Sequence, residues 1–381
     1  MVNMYLFSAA MQQAPLKEIA SLFLRMGFTA FGGPAVHTAI MKKEVVERRG
    51  WMDEQLFLDL VGATNLIPGP NSTELAIHIG HLKGGWRGLI VAGLCFILPA
   101  VFITGVLAYF YKLYGQLPQV QPYIYGIKPA IIAVIPAAVY PLAQKALKST
   151  YIAIIAVAVL ALSLLHVNEV YLLFGAGIAA VLYYQLQHGN TTNSLIPLSL
   201  WQFTNVTTGG NLQLFLIFLK IGAVLYGTGY VLFAFLDTEL VARGLLNRQQ
   251  LIDAIAVGQF TPGPVFSSVT FVGYQINGWQ GAVAATVGVF LPAFVFVAML
   301  GPVVKALRKS VLFSAFLDAV NAASVAIIIS MSITMARETI TDWRTAGIML
   351  VSLIIAFGYR QLNTAWLVLG GSVAGYLLSL I

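Results

Sequence analysis

Charge is scarce in this chain. Only 9% of its 381 residues are Asp, Glu, Lys or Arg, while 59% are hydrophobic. Soluble domains carry about 25% charged residues. A soluble fold of this length cannot hide so much apolar surface, whereas a bilayer accepts it. Cysteine is nearly absent too. The single thiol, Cys95, sits inside an apolar run, which excludes an internal disulfide and a cysteine-based zinc site. No stretch is long and polar enough for a soluble catalytic or receptor domain. Dense polar clusters, the mark of a membrane-embedded enzyme, are confined to Glu74, His78 and His81. These three share one helical face, as metal ligands do, but they read as a membrane-end cluster beside Lys83. Neither a catalytic role nor a metal or cofactor is expected. The first 15 residues lack the basic segment and cleavage site of a signal peptide, so the N-terminus is expected to be retained.

What the chain does have is apolar sequence along its whole length. A helix needs roughly 20 apolar residues to cross the hydrocarbon core, which leaves room for roughly ten to thirteen spans. A β-barrel would show strict alternation. Stretches such as Tyr151 to Leu165 and Ala346 to Phe357 are apolar on every face and read as helices. The formal net charge of +7 comes from basic residues in short loops. That pattern points to orientation in a membrane rather than to nucleic acid. The expected class is an all-α polytopic membrane protein whose first partner is the lipid bilayer, with no nucleic-acid role.

An internal repeat organises the sequence. Phe23-Leu24-Arg25-Met26-Gly27 is echoed by Phe218-Leu219-Lys220-Ile221-Gly222, and Phe31-Gly32 by Tyr226-Gly227. Gln55 and Asp59 match Gln249 and Asp253, and Pro68-Gly69-Pro70 matches Pro262-Gly263-Pro264. Gly85-Trp86 matches Gly278-Trp279, and Leu98-Pro99-Ala100 matches Leu291-Pro292-Ala293. The register stays between 193 and 195 residues throughout. The expected organisation is a first repeat at 1–187, a polar Asn/Thr/Gly-rich linker at 188–210 and a second repeat at 211–381. In the first half the basic loops flank the Pro-Gly-Pro segment: Lys42, Lys43, Arg48 and Arg49 before it, Lys83 and Arg87 after it. The next loop holds only Lys112. In the second half the corresponding early loops hold Arg243 and Arg248, and the next holds Lys305, Arg308 and Lys309. The bias reverses, which predicts inverted repeats. It also predicts that the first Pro-Gly-Pro segment enters and leaves by one face, as a broken or re-entrant half-helix.

Three features single out a site. The first is the set of breaks: Gly32-Gly33-Pro34, Pro68-Gly69-Pro70 and Pro262-Gly263-Pro264. Proline ends or kinks a helix, and irregular backbone at membrane depth survives only inside protein or beside a watery cavity. Proline also suits the first helical position. Pro70 and Pro264 would each open a half-helix, freeing the N–H groups of Asn71, Ser72 and Thr73, and of Val265, Phe266 and Ser267. Free N–H groups at the positive end of a helix dipole bind anions. The second feature is a pair of cations in apolar runs, Arg25 and Lys220, at matching repeat positions. Such a charge at the bilayer centre costs roughly 2.5–3.5 kcal/mol, and two of them suggest a paired cationic site. Lys128 is a weaker third, because its counterpart is Asn321. The third feature is a set of acids, Asp59, Asp253 and Glu74, with Asp318 also in apolar surroundings. They either carry protons or neutralise the cations.

These residues resemble the chromate ion transporter family. The resemblance rests on Phe31 to Pro34 with His37, Gly50-Trp51, Pro68-Gly69-Pro70, the glycines Gly80, Gly85 and Gly88, and Leu98-Pro99. In the second half it rests on Lys220-Ile221-Gly222, Gly227-Thr228-Gly229-Tyr230, Gly258 to Pro264, Thr270 to Tyr274 and Phe290-Leu291-Pro292. It covers nearly the whole chain. The resemblance implies a two-domain secondary transporter in the cytoplasmic (inner) membrane that exports chromate, with sulfate as a competing ligand and a homodimer as one assembly. Uptake of sulfate or another anion, and an anion channel, are the alternatives. The expected mechanism is alternating access. Arg25 and Lys220 would attract the dianion at a site built from Gly32, Gly33, Pro34, the two Pro-Gly-Pro segments, Asn71, Ser72, Thr73, Gly227 and Ser267, with Ser268 as an added hydroxyl. The chain departs from the family pattern at Glu74, an acid beside a dianion site, and at Thr228, which stands where a glycine is expected.

Overall fold

The computed structural model describes residues 13–31, 33–188, 210–226, 229–307, 310–359 and 364–380, and all regular elements among them are helical. The expected linker therefore lies almost wholly outside the described residues. In the first half the helices are α1 (Leu16–Thr29), α2 (Pro34–Lys42, continued by a π-helical turn Lys43–Arg48), α3 (Glu54–Thr64), α4 (Asn71–Tyr114), α5 (Gln121–Ala146), α6 (Thr150–Leu164) and α7 (Glu169–His188). The second half repeats the order. It has α8 (Asn211–Val224), α9 (Val231–Leu236, continued by a π-helical turn Asp237–Val241), α10 (Arg248–Phe260), α11 (Ser268–Leu307), α12 (Val311–Thr339), α13 (Trp343–Gly358) and α14 (Thr364–Ser379). A short 3₁₀ turn, Val265–Ser267, leads into α11.

Each half begins with two hairpins that do not cross. α1 ends where Gly33-Pro34 interrupts the sequence, and Pro34 opens α2 in the first helical position. α2 then doubles back along α1. Arg25 on α1 meets Glu44 at 2.8 Å, and Glu18 near its start meets Arg49 at 3.3 Å. α3 enters from the same end, its first turn capped by the Asp53 carboxylate on Leu56 N–H at 2.7 Å. The first arm of α4, residues 71–83, returns to that end, where Ala14 N–H donates to Lys83 O at 3.0 Å. This is the same-face entry and exit that the charge pattern predicts.

α4 then bends sharply at Gly84–Gly85, with φ of +57° at Gly85, and α11 bends alike at Asn277–Gly278, with φ of +58° at Gly278. Both positive-φ positions suit glycine. The arms on either side of each bend touch backbone to backbone. A Cβ on Gly80 would lie 2.4 Å from Gly88 O, and one on Gly273 would lie 2.3 Å from Gly281 O. Glycine is the only residue that fits.

The halves are inverted. The long arms of α4 and α11 pack together: Gly93 abuts the ring of Phe294, and Gly105 abuts the ring of Trp279. As one chain climbs the other descends, so equivalent helices run antiparallel. The two-fold relation between the halves is therefore perpendicular to the spans and lies in the membrane plane. The first half's hairpins open to one face, here called face 1, and the second half's open to the opposite face 2.

Among the described residues, five helices or stretches of them are long and apolar enough to cross a membrane: Asn71–Tyr114, Gln121–Ala146, Glu169–Gln187, Val265–Met299 and Val311–Thr339. Thr150–Leu164, Asn211–Val224, Trp343–Gly358 and Thr364–Ser379 are shorter apolar helices. The room for ten to thirteen spans is thus not used up in full crossings, because much apolar sequence goes into the re-entrant hairpins. Large apolar side chains such as Phe102, Ile154, Val157 and Ile354 are exposed on the outer surface, as a lipid-facing wall requires. The chain is a multi-pass membrane protein.

Candidate functional site

The breaks of the two halves meet and complete each other. Gly69 N–H donates to Leu225 O at 2.8 Å, and Gly263 N–H donates to Ala30 O at 2.9 Å. Each bond is the repeat image of the other. An unwound segment in apolar surroundings must find partners for its backbone groups, and here each half supplies them to the other. The conformation needs glycine on both sides, with φ of +134° at Gly69 and +86° at Gly263.

The Pro-Gly-Pro segments open half-helices as their sequence predicts, with one difference. Thr73 N–H and Glu74 N–H bond to Pro70 O at 2.8 and 3.0 Å, and Ser267 N–H bonds to Pro264 O at 2.9 Å. The N–H groups without a helical acceptor are therefore those of Asn71 and Ser72, and of Val265 and Phe266. Thr73 and Ser267 N–H are already used. The Thr73 hydroxyl is buried without a hydrogen-bond partner, and the Ser267 hydroxyl faces Thr104 Oγ1 at 3.4 Å.

His37 fastens two breaks together. Its Nε2 lies 3.1 Å from Ala30 O, and its Nδ1 lies 3.2 Å from Ser72 Oγ. A carbonyl can only accept, so Nε2 carries the proton and Ser72 donates to Nδ1. The imidazole is buried with its ring edge-on to Phe96. Pro34, His37, Pro70, Asn71, Ser72, Gly229, Pro264, Val265 and Phe266 line one small cavity of about 10 Å³, room for about one water. The structure thus gathers Pro34, Pro70, Asn71, Ser72 and Pro264 at one point, with Gly33, Gly69, Gly263, Pro68 and Pro262 in the adjoining backbone. Gly32 and Gly227 lie outside the described residues.

Two larger cavities are present, and one of them reaches this point through Asn71. One, of about 510 Å³, is lined by Asn65, Asn71, Lys145, Lys148, Asp318, Asn321 and Ser324 among others. Ser324 Oγ donates to Tyr226 O at 3.0 Å, so this cavity ends at the second half's break. Asn71 Nδ2 donates to Asn65 Oδ1 at 2.8 Å across the first Pro-Gly-Pro break. The other cavity, of about 360 Å³, lies toward face 2 and is lined by Tyr111, Lys128, Gln249, Asp253 and Glu338 among others.

Arg25 and Lys220 are not brought together. Each is matched by a glutamate of its own hairpin: Arg25 by Glu44 at 2.8 Å, and Lys220 by Glu239 at 2.6 Å. Glu44 also takes Arg48 at 2.8 Å and binds Arg49, and Glu239 also takes Arg243 at 2.6 Å. These are repeat images, since residues 25, 44 and 48 stand 195 before 220, 239 and 243. Neither cation lines the three cavities. The sequence reading missed both glutamates, although their shared repeat offset was a usable signal.

The acids also separate. Asp253 is buried, accepts from the Tyr111 hydroxyl at 2.6 Å and lies 3.6 Å from Lys128 Nζ. Lys128 is thus a partner of the second-half acid, with a further bond to Gln249 Oε1 at 2.5 Å. Asp59, its repeat image, is half-buried on α3. Asp318 is paired with Lys148 at 2.7 Å in the wall of the large cavity. Glu74 is fully buried, and neither carboxyl oxygen has a hydrogen-bond partner.

Comparison with known proteins agrees with this two-fold plan. A family model described as "Chromate transporter" matches the chain twice, at residues 17–181 and 212–376. A "Probable chromate transport protein" of Synechococcus elongatus is 29% identical, covering 94% of this chain and 95% of its own length. A "Chromate transport protein" of Cupriavidus metallidurans is also 29% identical, over 94% of this chain and 92% of its own, as is one of Pseudomonas aeruginosa. No solved structure matches. With both inverted halves matched separately, and relatives aligned nearly end to end, the chain belongs to the chromate transporter family.

Proposed function

We propose that the chain is a secondary transporter that exports chromate from the cytoplasm, with sulfate as a competing substrate, by alternating access around the point where the breaks meet. The observation that carries this reading is the reciprocal pair of backbone bonds, Gly69 to Leu225 and Gly263 to Ala30. These bonds bring two half-helix N-termini, one from each membrane face, to a single cavity. N–H groups at the positive ends of two dipoles suit a compact dianion. The ligands in this reading are the backbone N–H groups of Asn71, Ser72, Val265 and Phe266.

A tetrahedral oxyanion has five heavy atoms, and the central cavity holds about one water. The anion therefore enters only when the breaks part. The large cavity that holds Lys145 and Lys148 is its approach. Basic residues gather at face 1, with Lys42, Lys43, Arg48, Arg49, Lys83 and Arg87 in addition to these two. That bias makes face 1 the cytoplasmic side. Arg25 and Lys220, already neutralised by buried glutamates, hold the hairpins together rather than touch the anion.

The test is uptake of labelled chromate and of labelled sulfate into inside-out vesicles, with and without a pH gradient. Accumulation of chromate against its gradient supports active export. Transport of sulfate alone moves the substrate away from chromate and leaves the site in place. Flux that only follows the gradient makes the protein a channel, and no flux of either anion through folded protein ends the oxyanion reading.

A further inference from the structure

The transport reading leaves one acid in the centre of the molecule unused, although the sequence marks it as one that carries a proton or neutralises a cation. Glu74 stands one turn into the first arm of α4, and its carboxyl is fully buried with both oxygens unpartnered. It lies over the backbone of Gly69, where an added Cβ would come within 2.3 Å of Oε1. An ionised carboxylate without partners in such a place is far costlier than a neutral one, so the group carries a proton. His78 follows at i+4 and His81 at i+7, on the same helical face. Exposure rises along this row. Glu74 is at 0%, His78 at 9% with its Nε2 unpartnered, and His81 is half-buried against Trp86 near the bend at face 1. The second half has no such row. At the three matching positions it offers Ser267 and Ser268, Phe271 and Val272, and Tyr274 and Gln275, with no carboxyl or imidazole among them.

The titratable groups on the surrounding elements include Lys17, Glu18 and Arg25 on α1, Lys42 and His37 on α2 with Glu44 in its π-helical turn, Glu54 and Asp59 on α3, Cys95 on the long arm of α4, Tyr226 in the second-half break and Tyr274 on the first arm of α11. Arg25, Glu18 and Lys42 are paired with Glu44, Arg49 and Glu54. Lys83 ends the same arm as Glu74. His37 is committed to Ala30 and Ser72.

We propose that Glu74 is a protonation site that binds its proton together with the transported anion, and that His78 and His81 pass that proton between Glu74 and face 1. The proposal rests on the anion-transport reading for its coupling, though not for the protonation site itself. In the loading step an N–H bond of the His78 imidazolium breaks and an O–H bond forms on Glu74. His78 is left neutral and is reprotonated from His81, which draws on water at face 1. A negative charge on Glu74 would repel a dianion at the first turn of the same helix, and neutralising it removes that repulsion. Anion binding therefore favours the protonated form, and by linkage the reverse holds.

Two measurements on the purified full-length protein test this. The first is infrared difference spectroscopy at neutral pH on wild type and Glu74→Gln. A protonated-carboxyl band present in wild type and lost in the variant supports the site, and its absence from folded wild type overturns it. The second starts at an alkaline pH at which that band has been lost from anion-free wild type, and follows a pH indicator in weak buffer as sulfate is added. Wild type should take up close to one proton per bound sulfate and Glu74→Gln less than a tenth of that. His78→Phe should reach the wild-type extent at least tenfold more slowly. Equal uptake by Glu74→Gln and wild type, or an unchanged rate in His78→Phe, overturns the proposal. So does proton release on adding sodium, which would make Glu74 a cation ligand. If the infrared band is present but sulfate does not bind, the protonation site stands and the anion reading fails.

Discussion

Lys220 and Glu239 form a largely buried ion pair at 2.6 Å, and Arg25 and Glu44 form the repeat-related pair at 2.8 Å in the opposite half, where the glutamate is buried and the arginine is exposed. A basic residue placed nine positions into an apolar helix is tolerated because the chain turns at the break and returns an acid to it. Removing one partner of a buried pair costs about 3–5 kcal/mol, whereas replacing both with apolar groups of similar size is close to neutral. Glu239→Gln is therefore expected to lower the melting temperature of purified protein markedly, and Lys220→Met with Glu239→Leu to recover most of the loss. The recovered double variant should transport with a KM within about twofold of wild type. A KM raised tenfold or more would return Lys220 to direct contact with the anion.

Substitution at the crossing of the breaks should act on transport more than its size suggests. Gly69→Ala and Gly263→Ala each place a Cβ at positive φ, a cost of about 1–2 kcal/mol. At Gly263 the new atom would sit 3.1 Å from Ala100 Cβ and 3.2 Å from Gly27 O, so backbone must shift. At Gly69 the nearest atom is the Glu74 carboxyl, which can swing aside. Thermal unfolding should rank Gly263→Ala as the more destabilised. Initial rates of anion flux should fall at least tenfold in both.

The His37 clasp gives a graded series. His37→Phe keeps the packing against Phe96 but removes one donor to Ala30 O and the acceptor for Ser72. Leaving such groups unpaired costs about 1–3 kcal/mol. Ser72→Ala removes only the second bond and should cost about 1 kcal/mol. Denaturation midpoints of the two variants and their combination check this. The combination should cost no more than His37→Phe alone, because both act on one shared bond.

Lys145 and Lys148 lie in the open wall of the approach cavity and not at its end. Their removal should weaken recruitment without altering the step that follows. Lys145→Gln with Lys148→Gln should raise KM several-fold at low salt with little change in kcat. The difference should shrink at physiological ionic strength, where charges are screened over about 8 Å. Asp318→Asn, which frees Lys148 from its 2.7 Å partner, should shift KM the other way.

Much of this was legible in the sequence because proline and glycine mark backbone geometry directly. The duplicated Pro-Gly-Pro segments, the glycines at the bends and the reversed loop charges each have a local cause, and the inverted halves follow from them. What a hairpin brings back was not legible. Glu44 and Glu239 stand 19 residues after Arg25 and Lys220, too far for helical periodicity to link them. Lys128 and Asp253 come from different halves, so only the packed structure shows that they meet. The apolar runs also overstate the number of crossings, because hydropathy does not register a helix that turns round midway.

The reciprocal bonds have a consequence for how the molecule is made. When the ribosome has delivered only the first half, Gly69 N–H and Ala30 O have no partner, since Leu225 and Gly263 are still to come. Two polar backbone groups then wait in the hydrocarbon until an oppositely oriented counterpart arrives. Alone, the first half thus carries two backbone groups whose partners only the second half supplies. The core closes only when a half of the other orientation docks against it, whether that half is tethered on the same chain or is a separate copy inserted upside down.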